Sequence, residues 1–102
     1  MELKPGSRWK SAVCDGEVVV VRPPKLAAVL ECGGHVMTPH GADRPQGLAL
    51  SPDHAEGVKL GKRYYDEETG LEALCSKPGA GSLSINGRPA KVRDAKKLPS
   101  SD

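Results

Sequence analysis

Glycine and proline divide this chain into short segments, and that division constrains the fold more than any other feature. Twelve glycines and nine prolines among 102 residues, with no collagen-like period, imply short strands joined by many turns. The clearest segment is Glu17 to Arg22, whose four consecutive valines fit the pleat of a strand and lose little freedom there. Asp15-Gly16 precedes it as a turn and Pro23-Pro24 ends it. Leu26 to Glu31 contains alanines that favour helix. Six residues between a Pro-Pro pair and Gly33-Gly34 cannot hold a helix alone, so this segment reads as the returning strand of a hairpin. The expected fold is all-β, a small domain of short antiparallel hairpins. Apolar residues make up only 37% of the chain, so its valine-rich core should be thin. Phenylalanine is absent, which leaves Trp9, Tyr64 and Tyr65 as the large rings; Trp9 and Tyr64 are expected to anchor the core.

The chain reads as a single domain, 1–102, in four stretches. Residues 6–37 form a ribbon-like β unit that begins with a strand from Arg8 to Val13. Residues 38–57 are a long loop rich in proline, glycine, histidine and aspartate, read as a binding lid or a disordered segment; Ser51 can cap a single helical turn with Pro52 at its first position. A second β unit spans 58–93. It includes Val58 to Leu60, Arg63 to Asp66, an acidic turn in which the carboxylates of Asp66, Glu67 and Glu68 should be solvated, and a strand from Leu71 to Ser76. Ser82 to Ile85 then alternates with period two, Asn86-Gly87 makes a tight turn, and Arg88 to Arg93 returns as a strand. The tail, 94–102, has no apolar periodicity and should fray. Gly6-Ser7-Arg8-Trp9 matches Gly61-Lys62-Arg63-Tyr64 at an offset of 55. With one residue removed, Gly16, Pro24 and Cys32-Gly33 stand opposite Gly70, Pro78 and Asn86-Gly87, the signature of a degenerate two-fold internal repeat.

Fifteen basic against 13 acidic residues, spread along the chain, argue against capture of nucleic acid. No apolar run reaches the length of a signal peptide or a membrane span, so a cytoplasmic protein without membrane association is expected. Three cysteines at uneven spacing do not fit a disulfide framework and leave thiols for burial, metal or redox chemistry.

Around these thiols the sequence has a recognisable pattern. Trp9-Lys10 leads into Ser11-Ala12-Val13-Cys14, the valine strand follows, and the unit closes with Glu31-Cys32-Gly33-Gly34-His35-Val36-Met37. Residues 6–37 thus resemble the desulforedoxin-like, rubredoxin-knuckle family, zinc-ribbon-like β proteins that hold zinc or iron with four cysteines. The resemblance implies that Cys14 and Cys32 stand at the second and fourth ligand positions. Ser11 and Glu31 occupy the first and third, and Val36 replaces a proline. A neutral hydroxyl is a poor ligand for these metals and a carboxylate only an occasional one, so the implied metal site is degenerate. Cys14, Cys32 and His35 are the candidate ligands for zinc or iron, with Cys75, His40 or His54 as a fourth group. Thiolates that share one tetrahedral metal lie about 3.7 Å apart, so without the metal Cys14 and Cys32 approach disulfide range and form a candidate redox pair. Their bland alternative is two buried, inert thiols.

No catalytic motif is complete. Gly79-Ala80-Gly81-Ser82 lacks the lysine of a phosphate loop and reads as a turn, no nucleophile elbow surrounds a serine, and Lys91, Arg93, Lys96 and Lys97 lack aromatic platforms for nucleic acid. The expectation is a non-enzymatic accessory or protein-interaction module on a degenerate metal-knuckle scaffold, with no cofactor and with a protein partner or a second copy of itself. His40, Asp43, Arg44 and His54 are its candidate interaction-loop residues. The alternative is a zinc- or iron-binding or thiol-redox protein using Cys14 and Cys32. A third, enzymatic reading requires His40 and His54 to converge on one pocket.

Overall fold

The computed structural model describes residues 1–93, so the expected frayed tail lies outside the described residues. The strands are β1 (Arg8–Lys10), β2 (Glu17–Arg22), β3 (Leu30–Cys32), β4 (His35–Val36) and β5 (Thr38–Pro39), followed by a 3-10 turn at Pro52–His54. The second series is β6 (Arg63–Tyr65), β7 (Glu72–Lys77), β8 (Leu83–Ile85), β9 (Arg88–Pro89) and β10 (Lys91–Arg93). The fold is all-β, with every strand pair antiparallel. One sheet has the order β10-β6-β7-β2-β1-β5 and the other β4-β3-β8-β9. Among the described residues no helix is long and apolar enough to cross a membrane.

Both strand orders read the same after β1–β5 are exchanged with β6–β10. The backbone bonds between and beside the strands obey the same exchange. Gly6 N–H donates to Val20 C=O and Gly61 N–H to Cys75 C=O; Ser11 N–H donates to Gly16 C=O and Asp66 N–H to Leu71 C=O. In the smaller sheet Gly33 N–H reaches Ser82 C=O while Asn86 N–H reaches Val29 C=O. The tight turns that correspond are Gly33-Gly34 and Asn86-Gly87, all four residues at positive φ, so the sequence alignment of Cys32-Gly33 with Asn86-Gly87 is one residue out of register.

The core lies between the sheets and follows strand periodicity. Val18 and Val20 of β2 point inward, Val21 is exposed, and Ala73 and Cys75 of β7 meet the valines across the central pair. Leu30, Cys32, Leu83 and Ile85 close the core from the smaller sheet, with Trp9, Tyr64, Met37 and Leu71 in the same cluster. Trp9 and Tyr64 are both buried, as anchors should be.

Several local expectations are corrected. The returning strand is only Leu30–Cys32, and it pairs with β4 and β8 rather than with the valine strand. Seven residues, the first two of them prolines, carry the chain from one sheet to the other, so adjacent segments do not form a hairpin. The first strand stops at Lys10, because Ser11 turns the chain (below), and Arg88 to Arg93 divides at Ala90 between the two sheets. Val58 contributes only an isolated bridge to Gly79. The loop 38–57 begins with a strand, β5, and its 3-10 turn has Pro52 first as expected, but Ser51 makes no side-chain capping bond.

The acidic turn is the largest departure. Asp66 is buried, and its Oδ2 accepts from Thr69 N–H (3.0 Å) and Thr69 Oγ1 (2.8 Å). Arg88 donates to both of its oxygens, at 3.3 Å and 2.8 Å. These bonds from Arg88, with those from Thr69, outweigh burial and hold the carboxyl below its ordinary pKa. An Asp depressed in the folded state contributes stability that is present above its unfolded value near 3.9 and is lost as pH falls through the folded value. Asp66→Asn should therefore cost about 2 kcal/mol at neutral pH, moderated by the partly exposed arginine, and should flatten the loss of stability below about pH 4. Urea unfolding midpoints across pH check both effects.

Candidate functional site

The site is built from three backbone turns closing on two sulfurs. The first runs from Ser11 to Gly16. Ser11 has no exposed surface, and its Oγ accepts from the N–H groups of Val13 and Cys14, both at 3.1 Å. The Ser11 N–H to Gly16 C=O bond (2.8 Å) closes the loop, and Gly16 N–H points at Cys14 Sγ from 3.4 Å. The serine hydroxyl thus wraps the backbone that presents Cys14, which is half-buried.

The second turn follows β3. Cys32 ends that strand, fully buried, and Gly33-Gly34 reverse the chain at φ of 66° and 87°, which side-chain-bearing residues rarely adopt. The third is Gly79-Ala80-Gly81 after β7. A Cβ on Gly79 would lie 2.7 Å from Gly16 Cα and 2.8 Å from Cys14 Sγ; one on Gly81 would lie 2.8 Å from Gly33 Cα and 3.1 Å from Cys32 Sγ. Only glycine lets this backbone meet both cysteines.

Gly81 bonds to the two thiols in opposite senses. Its N–H donates to Cys14 Sγ at 3.4 Å, whereas its C=O accepts from the Cys32 thiol at 3.5 Å. The sulfurs are 3.9 Å apart. Burial pushes the Cys14 pKa up but is outweighed by hydrogen bonds from Ser11, the Gly16 and Gly81 amides and Cys32, so Cys14 falls below the ordinary thiol value. Cys32 is pushed up to about 12, first by burial and then by the charge of Cys14. Cys75, also pushed up by burial, donates its thiol to Lys77 C=O at 3.2 Å.

The remaining sequence candidates are dispersed. His35 Nε2 bonds to Ala49 C=O (2.8 Å), and His40 Nε2 lies 3.2 Å from Glu17 Oε1. Asp43 and Arg44 are exposed, and His54 packs beside Gly34 while its C=O accepts from Ser82. Glu31, at the implied third ligand position, accepts instead from Ser84 Oγ and Gly87 N–H, both at 2.9 Å. Two of the four implied positions therefore present thiols; Ser11 and Glu31 are committed to other hydrogen bonds. Among the described residues no group of three or more Cys, His, Asp or Glu side chains is placed to hold a metal. The residues do not fit a four-ligand metal centre.

Sequence reasoning missed Gly79 and Gly81, which it read as turn residues only, because a loop gives no signal of what its backbone touches. It also missed that part of the long loop straps the second turn. Ser51 N–H donates to Gly33 C=O (3.0 Å), and Leu50 packs over Gly33 beside Val13. No protein-family model, curated protein or solved structure matches the chain.

Ser11→Ala should raise the Cys14 pKa by removing the first of its lowering bonds, and the alkylation rate of Cys14 by iodoacetamide should shift to higher pH. Gly79→Ala, which forces a methyl against Gly16 and Cys14, should destabilise the fold by about 2–3 kcal/mol in urea titration.

Proposed function

We propose that this protein is a non-enzymatic accessory module whose Cys14 and Cys32 interconvert between dithiol and disulfide, a thiol-redox switch on a metal-knuckle-like scaffold. The observation that carries the reading is the Gly81 peptide placed between two sulfurs 3.9 Å apart, donating to one and accepting from the other. Unequal acidity suits a pair that undergoes thiol–disulfide exchange, the more acidic thiol attacking first and the other resolving once it gives up its proton.

The half-buried Cys14 thiolate attacks a sulfur of an incoming disulfide, forming a mixed disulfide and releasing one thiolate from the partner. Cys32 then gives up its proton and attacks Cys14 Sγ, which forms the intramolecular bond and releases the second thiolate. Two protein thiols are oxidised and one external disulfide is reduced. Closure requires the sulfurs to approach from 3.9 Å to about 2.05 Å. Both lie at turns, where small backbone shifts supply that movement, and the shift pulls on the strap over Gly33. The exposed apolar side chains of Val36 and Leu48 border the His35–Ala49 contact in sequence and give a protein partner a surface that responds to the strap.

Oxidised glutathione is the test reagent. The wild-type chain should lose the mass of two hydrogens, with Cys75 still alkylatable; Cys32→Ser should accumulate a glutathione adduct on Cys14, and Cys14→Ser should form no Cys32 adduct. Two freely titrating thiols at positions 14 and 32 after prolonged oxidation, or an adduct on Cys75 instead, would overturn the reading.

A further inference from the structure

A cavity of about 510 Å³ opens on the second half of the fold, away from the thiol pair, with Tyr64, Leu83, Ala90 and Val92 on its apolar wall. Among the described residues, Lys59, Arg93 and Lys62, which has an interaction of its own, also line it against one carboxylate, Glu56. Its origin is visible in the two-fold correspondence. Met37 N–H donates to Leu30 C=O and Ala90 N–H to Leu83 C=O, so Ala90 stands where the first half has the buried Met37. In that first half Leu30 N–H donates to the sulfur of Met1 at 3.1 Å. The residue in the place of Met1 is Glu56, whose N–H is bound by Ser82 Oγ. Two methionine side chains are thus missing from the second half, and the space they would fill is open.

A polar group is left over as well. Because Gly33 N–H bonds Ser82 C=O, alternation along the antiparallel pair turns Leu83 N–H away from β3. Outside the strand ladders it has no acceptor among the described residues, whereas its counterpart, Leu30 N–H, has the Met1 sulfur. A donor turned out of the ladder toward a cavity with an apolar wall and a cationic rim suits an occupant that is anionic at one end and apolar at the other.

We propose that this cavity binds a medium-chain aliphatic carboxylate. The alkyl chain takes the volume that the methionines fill in the other half. The carboxylate accepts from Leu83 N–H and is neutralised chiefly by Lys59, since Arg93 already lies 4.1 Å over the Tyr65 ring and 4.0 Å from Glu72.

Octanoate, titrated into the full ¹⁵N-labelled chain, tests it. Saturable amide shifts should appear at Tyr64, Leu83 and Ala90. Lys59→Glu, on an exposed residue, should weaken binding by about tenfold or more, and octanamide should bind correspondingly worse than octanoate. Ala90→Met, which restores the counterpart of Met37, should abolish binding and raise the melting temperature. Absence of saturable shifts at millimolar octanoate, equal binding of octanamide, or affinity unchanged by Lys59→Glu would overturn the proposal.

Discussion

The approach of the Gly79-Ala80-Gly81 backbone onto the two cysteines is the contact on which the rest depends. It joins the end of β7, in the larger sheet, to the loop after β1 and the turn after β3. No side chain intervenes: Gly79 rests against Gly16, and Gly81 against Gly33. The same approach adds to the difference between the sulfurs: burial raises Cys32, Ser11 is the first of the bonds that lower Cys14, and the Gly81 amide is a further donor to Cys14.

The two halves of the fold share their pairing but answer one local problem differently. The loop after β1 is held by a buried serine hydroxyl that accepts two backbone donors, and Gly16 N–H meets Cys14 Sγ. In the loop after β6, Asp66 takes the place of Ser11, Thr69 that of Cys14, and Leu71 N–H meets Thr69 Oγ1 at 3.3 Å. A full negative charge in the second loop demands a counter-ion, which Arg88 supplies from the edge strand of the other sheet. One loop is thereby fixed by an ion pair that locks its carboxylate, while the other keeps a thiol whose charge can change. Structure and reactivity are divided between equivalent positions.

Much of the fold was legible because its signals are local. The valine run, the Asn86-Gly87 turn and the burial of Trp9 and Tyr64 each follow from residue type and spacing. What failed required knowledge of a partner distant in sequence. Leu30–Cys32 pairs with a strand more than fifty residues away, and neither of its flanking turns encodes that choice. The carboxylate of Asp66 looked solvated because Arg88, the residue that neutralises it, is 22 positions on. At the site, the sequence singled out Cys14 and Cys32 and read Ser11 only as a replaced ligand; Gly81 was not singled out, because a glycine that serves through its peptide carries no chemical signature. The histidines drew attention as metal ligands, yet His35 and His40 are taken up by Ala49 and Glu17.

The central claim is that the three turns move two neighbouring thiols apart in acidity, and site-resolved titration tests it most directly. With ¹³C-labelled cysteine β-carbons, Cys14 should titrate below the ordinary thiol value and Cys32 should remain protonated until about pH 12. Titration of both at the ordinary value, or of Cys32 before Cys14, would contradict the account.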